Sequence, residues 1–485
     1  MTNTVTESTP RPVRKGVGSV FQADSEVPAG DRLPLRTTAR MRMNATRLAA
    51  AVALAAVAFV VYHSALSAYF FDDDLQWLVG SLSFAPSSLV ALGRMTHFYR
   101  PVIDVYFAAA TALFGGSPTL FHAANIALHA ANAVVLFALA ARIGGSTLYG
   151  FAAALFFVVQ PGGTDAIAWV GALAEAIGAL FGCLSLLWFL RWRDTARSLW
   201  RPLSWAAFVL ALLTHESSVV FLPLLILADL AFGGRGADCA ARGADCAARG
   251  ADCAARGSSR VAALARAYAP FVLATAAYLA IDLLINSRNY VVREGHYTLG
   301  WHIVQNGFEY LVALYVGRRD TVNTLFVTMG LAALLLRGSP RVRFSTVWML
   351  IALAPFLAFS WSNTSRYLYQ PAIGFSLLVA EAIVWLDRRL AARVTPSLRV
   401  GIAALLVAAI AVRFMLFAMH NVEGFVARTE VYRHQAAEIR RVHGDVPSHT
   451  VIEAGAELQL ALSYPFATAL AQWVYRDPTI RLAPY

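Results

Sequence analysis

Long apolar runs constrain this chain more than any other feature. Residues 46–66 hold one arginine, Arg47 at the start, and no other charge. About twenty such residues are enough to cross a hydrocarbon core as a helix. About ten further apolar segments follow, near 119–141, 147–161, 170–190, 203–214, 217–233, 262–285, 321–337, 344–360, 372–387 and 399–418. In hydrocarbon every backbone N–H and C=O must find an internal partner, so segments of this kind become helices. Of the 485 residues, 58% are hydrophobic and 14% charged. A soluble globular chain is about half apolar and about a quarter charged. The expected fold is an all-α polytopic membrane protein with about 11 transmembrane helices, the pair within 203–233 being readable as one broken span.

Arginine orients these segments. The net charge is +11, and Lys15 is the only lysine, which fits the coding bias of a GC-rich bacterium. Residues 1–45 form a polar, basic tail, expected to be disordered and cytoplasmic, with Arg36, Arg40, Arg42 and Arg47 beside the first run. Four loops are arginine-rich, those holding Arg191 to Arg201, Arg235 to Arg260, Arg337 to Arg343, and Arg388 to Arg399. Basic loops stay on the cytoplasmic side. The expected site is therefore a bacterial cytoplasmic (inner) membrane, with the amino terminus inside and the carboxyl terminus outside. The transmembrane domain covers 46–418. Its first outer loop is 67–118, its cytoplasmic repeat loop 234–260 and its second outer loop 286–320. Residues 419–485 are expected to form a small extracytoplasmic α/β appendage, with TVIEAG as a strand and EVYRHQAAEIRRV as a helix. No soluble basic face is present, so nucleic acid is not an expected partner.

The segment Arg235–Ala255 repeats RGADCAA three times and holds Cys239, Cys246 and Cys253. Each unit contains glycine and the cysteine spacing matches no zinc motif, so the repeat reads as a loop expansion without function. Cys183 lies in an apolar run, and no disulfide framework is expected.

Polar residues that an apolar chain retains mark its chemistry. The stretch YFFDDDLQWL places Asp72, Asp73 and Asp74 at the mouth of the first span. Carboxylates close to one another and to low-dielectric surroundings have raised pKa values, which suits a general base. His122, Asn125, His129 and Asn132 recur at spacings of 3, 4 and 3, one stripe of a helix. For His129 and Asn132 this reads as interhelical hydrogen bonding, whereas His122 lies nearest the outer end, within reach of a substrate. Asp165 falls in the next outer turn, with Glu175 beyond it, and His215 and Glu216 in the turn after. Arg366 lies among aromatics, where a guanidinium can hold a phosphate bidentately. Asp72 to Asp74, His122, Asp165, His215, Glu216 and Arg366 all fall on the outer face under a topology derived without them.

These segments resemble the C-type (GT-C) polytopic membrane glycosyltransferases. The likeness is to the bacterial protein O-mannosyltransferase-like branch, including its transmembrane members that carry tetratricopeptide repeats. The acidic pair of the family's first outer loop matches Asp73 and Asp74, and a Tyr-Arg-Pro element matches Tyr99, Arg100 and Pro101. The Phe-His, Asn and His series matches Phe121, His122, Asn125 and His129. A His-Pro-x-His-x-Glu-x-x-Ala-Trp turn becomes Gln160 to Trp169, with both histidines missing and Asp165 in place of Glu. A Lys-Glu-Ser element becomes His215, Glu216 and Ser217, and Arg-Tyr-Leu-Tyr-x-Pro matches Arg366 to Pro371. The likeness covers roughly 46–233 and 361–387.

The resemblance implies transfer of a sugar from a polyprenyl-phosphate-linked donor to an extracytoplasmic acceptor hydroxyl, with inversion. The acceptor is a glycan, a protein or a lipid of the cell envelope. Asp73 or Asp74 is then the base, with Asp72 as an extra acid. Arg100 and Arg366 are assigned to the donor phosphate. His122, Asp165, Glu216 and Tyr367 are assigned to sugar or acceptor, with a divalent cation held by Asp165 and Glu216 left open. Two other readings stand beside this one. Buried polar stripes and interrupted spans suit a transporter or flippase for a lipid-linked solute, and the departures at Gln160, Gly163 and His215 suit a catalytically diverged scaffold.

Overall fold

The computed structural model describes residues 34–91, 98–233, 255–315, 320–360 and 365–484. The tail up to residue 33 and the repeat cysteines Cys239, Cys246 and Cys253 lie outside the described residues. The chain divides into two compact units, 1–49 and 50–485. The described part of the first is the opening of helix α1, Pro34–Tyr62. The remainder of the description concerns the second.

Within it, α2 is Asp73–Leu82, α3 Pro101–Phe114, α4 Pro118–Gly144 and α5 Thr147–Val159. Next come α6 Leu173–Thr195, α7 Trp200–Leu212 and α8 Phe221–Phe232. Then follow α9 Ala255–Asn286, α10 His302–Tyr315, α11 Thr321–Arg337 and α12 Pro340–Leu353. The last long helices are α13 Tyr369–Ala391 and α14 Pro396–His443. Proline opens α3, α4, α12 and α14, where its missing N–H costs nothing and its fixed φ already suits a helix.

Each apolar segment of the sequence is helical, and the fold is the expected all-α polytopic membrane fold. Six helices among the described residues are long and apolar enough to cross a membrane: Ala45–Ser67, Pro118–Gly144, Val170–Thr195, Leu264–Ile285, Ser365–Ala391 and Pro396–His443. Others are shorter than expected. The pair within 203–233 is broken into α7 and α8 around a 3-10 turn at Glu216–Val220. That break brings His215 to Ser218 to the end of the bundle rather than into a continuous span.

The bundle core joins α4 with α5, α6 with α7, and α12 with α13 along their lengths. The polar stripe on α4 is buried within it. Asn125 Nδ2 donates to the Ile167 carbonyl at 3.1 Å, Asn132 Nδ2 to that of Ala176 at 2.9 Å, and His129 Nδ1 meets Tyr369 Oη at 2.9 Å. These are the interhelical bonds expected of His129 and Asn132.

The carboxyl-terminal part continues directly from the bundle. No break separates it at 418, because α14 runs unbroken for 48 residues. That is about 70 Å of helix, more than twice what a bilayer core of about 30 Å requires. Beyond it, β1 Val451–Ile452 pairs parallel with β2 Arg481–Leu482, and α15 Ala456–Ala461 and α16 Tyr464–Tyr475 lie between them. These elements do not form a core of their own. Ile452, Leu470 and Trp473 share one apolar cluster with Phe70, Leu75, Leu78, Phe107 and Phe121. The Phe70 ring meets Trp473 edge-on at 5.6 Å. The first loop and the carboxyl-terminal segment thus close one second core above the bundle.

Candidate active site

The aspartate triplet sits at the mouth of α2, and its three carboxylates meet three environments. Asp72 takes φ +44° and ψ −113°, a conformation that side-chain-bearing residues rarely adopt. The turn it makes sends Asp74 inward and Asp73 outward. Asp74 is fully buried, its oxygens accepting from the Phe71 N–H at 2.8 Å and from the Gly171 N–H. A Cβ on Gly171 would stand 2.9 Å from Asp74 Oδ1, so the two pack closely. Burial pushes the Asp74 carboxyl well above the ordinary carboxylate range, against the pull of those two amides. Asp72 accepts from the Tyr432 hydroxyl. Burial raises its pKa too, with that hydrogen bond acting the other way and the charge of Asp73 adding to the rise.

Asp73 is the open member, its side chain 41% exposed. Its Oδ2 lies 3.7 Å from a guanidinium nitrogen of Arg366. Arg366 lies over Trp169, its central carbon 4.5 Å from the ring centroid, and its Nη2 donates to Tyr367 Oη at 3.3 Å. Tyr367 is itself buried, stacked on Phe356 at 4.4 Å and on Phe359 at 5.5 Å. Its hydroxyl supports Arg366. Trp169 is fixed in turn, its indole N–H donating to the Phe71 carbonyl at 3.1 Å.

Arg100 is differently placed. Its Nε donates to both oxygens of Glu216 at 3.1 Å and its Nη2 to Oε2 at 2.8 Å. Its charge is therefore neutralised within the protein, whereas Arg366 faces its carboxylate at longer range. Behind this pair lies His215. The Ser217 N–H donates to His215 Nδ1 at 3.1 Å, which leaves the proton of the neutral ring on Nε2, 3.4 Å from Glu175 Oε1. Burial, and after it the charges of Arg100 and Arg366, push His215 well below the ordinary histidine range, so the ring is neutral. Glu175, buried in α6, accepts from Ser217 Oγ at 3.2 Å and from Gln370 Nε2 at 3.0 Å.

Asp165 is paired with Arg428, at 3.2 Å. His122 is fully buried. Asp165 and Glu216 were the carboxylates assigned to a divalent cation with the first loop. Each is taken by a guanidinium, and among the described residues no group of three His, Cys, Asp or Glu side chains converges as metal ligands. This donor set does not fit a cation.

The departures from the family pattern are packed positions. Gln160 is buried and its Nε2 donates to the Leu314 carbonyl at 3.1 Å. A Cβ on Gly163 would meet Tyr369 Cα at 3.2 Å, so the turn seats against α13. Sequence reading missed Arg428, Tyr432 and Gln370. Arg428 and Tyr432 carried a signal, since a helix of period 3.6 continues past the last apolar run there, whereas Gln370 stood inside a motif read for its arginine and tyrosines.

The fold is similar to that of two solved structures. It matches ArnT from Cupriavidus metallidurans in the apo state with TM-score 0.50 and 15% identity, covering 89% of this chain and 85% of that one. It matches the Archaeoglobus fulgidus oligosaccharyltransferase tethered with an acceptor peptide with TM-score 0.51 and 13% identity, covering 90% of this chain and 63% of that one. The likeness at these identities is one of fold. No protein-family profile and no curated protein sequence matches the chain.

Proposed function

We propose that this protein transfers a sugar from a polyprenyl-phosphate-linked donor to an acceptor hydroxyl at the extracytoplasmic face of a bacterial membrane. The observation that carries the reading is the facing of the open Asp73 carboxylate and the Arg366 guanidinium at the end of an apolar bundle. In a direct displacement, the acceptor oxygen attacks the anomeric carbon while Asp73 takes its proton. The bond from that carbon to the phosphate oxygen breaks, its electron pair leaves on the phosphate, and the carbon inverts. Arg366 neutralises the phosphate charge that grows as the bond opens. A guanidinium spread over an aromatic face is weakly hydrated and well suited to this role.

Asp74 is excluded as the base by access, since both its oxygens are held by backbone amides. Arg100, gripped by Glu216, serves the site through the Glu216, His215 and Glu175 network rather than as the main phosphate ligand. The branch suggested by the sequence is the protein O-mannosyltransferase-like one, with a hexosyl or pentosyl donor. No cation enters the scheme.

The test is release of free polyprenyl phosphate from short-chain polyprenyl-phosphate sugars by the purified protein in detergent, read by mass spectrometry. Asp73→Asn is expected to lower the rate by about 10²–10⁴-fold and Arg366→Gln to raise KM for the donor. Rates unaffected by chelator are expected as well. Binding of lipid phosphate without release from any donor would move the assignment to a scaffold or a transporter.

A further inference from the structure

The extended carboxyl-terminal helix α14 touches the site loops along one face. Asn421 Nδ2 donates to the Pro161 carbonyl at 3.1 Å. Phe425 meets the Phe71 ring at 5.5 Å, and Arg428 pairs with Asp165 at 3.2 Å. Thr429 Oγ1 accepts from the Tyr69 N–H at 3.0 Å, and the Tyr432 hydroxyl donates to Asp72. These five positions advance by 4, 3, 1 and 3 residues, a single helical stripe. Phe425, Thr429 and Tyr432 grip the chain at Phe71, Tyr69 and the strained Asp72, whose turn precedes the outward-facing Asp73. Strain of this kind persists only where surrounding contacts over-determine it. Tyr432 is buried, only 3% exposed, and so does not meet a substrate.

We propose that α14 is part of the catalytic apparatus, with Tyr432 and Thr429 as positioning residues that hold Asp73 opposite Arg366 through Asp72 and Tyr69. The inference rests on the reading of Asp73 as the base. A rigid helix rooted in the bundle supplies what a surface loop lacks, a fixed reference for one carboxylate. A displacement of about 1 Å at a reacting group costs on the order of a hundredfold in rate.

Two measurements on Tyr432→Phe and Thr429→Val test it, with His434→Gln, on the exposed side of the same helix, as control. Hydrogen–deuterium exchange of the segment 69–75 is expected to rise about tenfold in both variants, as a local opening is made easier. Their kcat is expected to fall by about ten- to a hundredfold with KM for the donor little changed, while His434→Gln matches the wild type. Unchanged exchange in both variants overturns the proposal, whatever the rate does. Faster exchange with undiminished kcat overturns it as well. A wild-type protein that releases no polyprenyl phosphate refutes the reaction instead, and the exchange measurement still decides whether α14 holds the loop.

Discussion

Three consecutive aspartates would repel one another in a uniform setting. Here Asp72 is bonded to Tyr432, Asp74 is enclosed by two amides, and Asp73 alone is open with Arg366 before it. The consequences separate cleanly by variant. Asp74→Asn is expected to lower thermal stability in detergent, by about 1–3 kcal/mol for a disturbed buried acceptor, whereas Asp73→Asn is expected to melt like the wild type. Asp72→Gly and Asp72→Ala both lose the Tyr432 bond, but only glycine adopts φ +44° without strain. The glycine variant is therefore expected to be the more stable of the two by about 1 kcal/mol. His215 adds a pH dependence. Its ordinary value is 6.5 and its folded value lies well below. Between the two, the unfolded chain binds a proton that the folded chain does not, so stability falls as pH drops through that window. Thermal melts of His215→Gln from pH 7 down to about 4 are expected to show a shallower acid decline than the wild type.

At the scale of the element, α14 carries the chain without a break from the bundle to the site loops. A boundary at 418 was reasonable, because the apolar run ends there and polar residues follow. Hydropathy reports where a helix leaves the hydrocarbon, not where it stops. Continuation was legible only in the period of Val422, Phe425, Thr429, Tyr432 and Ile439, all buried on one face. Gly424 lies on the other face, with nothing within 4 Å of an added Cβ. Gly424→Ala is expected to stabilise the protein by about 0.5–1 kcal/mol. Gly424→Pro removes a helical bond between the bundle and the Asp72 contact, at a cost of about 3 kcal/mol, and is expected to abolish transfer. Melting curves together with the release assay check both variants.

For the whole molecule, the proposed orientation follows from arginine, and it places the second core outside. A membrane-impermeant maleimide is expected to label Ser83→Cys and Glu457→Cys in intact cells but Arg197→Cys only after lysis. The three repeat cysteines are replaced by serine in the background, and Cys183 is buried and should stay silent. Labelling of Arg197→Cys in intact cells would reverse the topology and with it the face on which Asp73 works.

The membrane class, the helical segments and most of the site's membership were determined by the sequence itself, because length, hydropathy and charge bias act locally and add along the chain. The division of labour within the site was decided by tertiary structure. Asp74 meets Gly171 across 97 residues, Arg100 meets Glu216 across 116, and Arg428 meets Asp165 across 263. No local signal encodes such pairings, yet each removes one or two charged groups from the pool of free ones. What they leave open is Asp73 with Arg366, a pair brought to 3.7 Å without being tightly closed on each other.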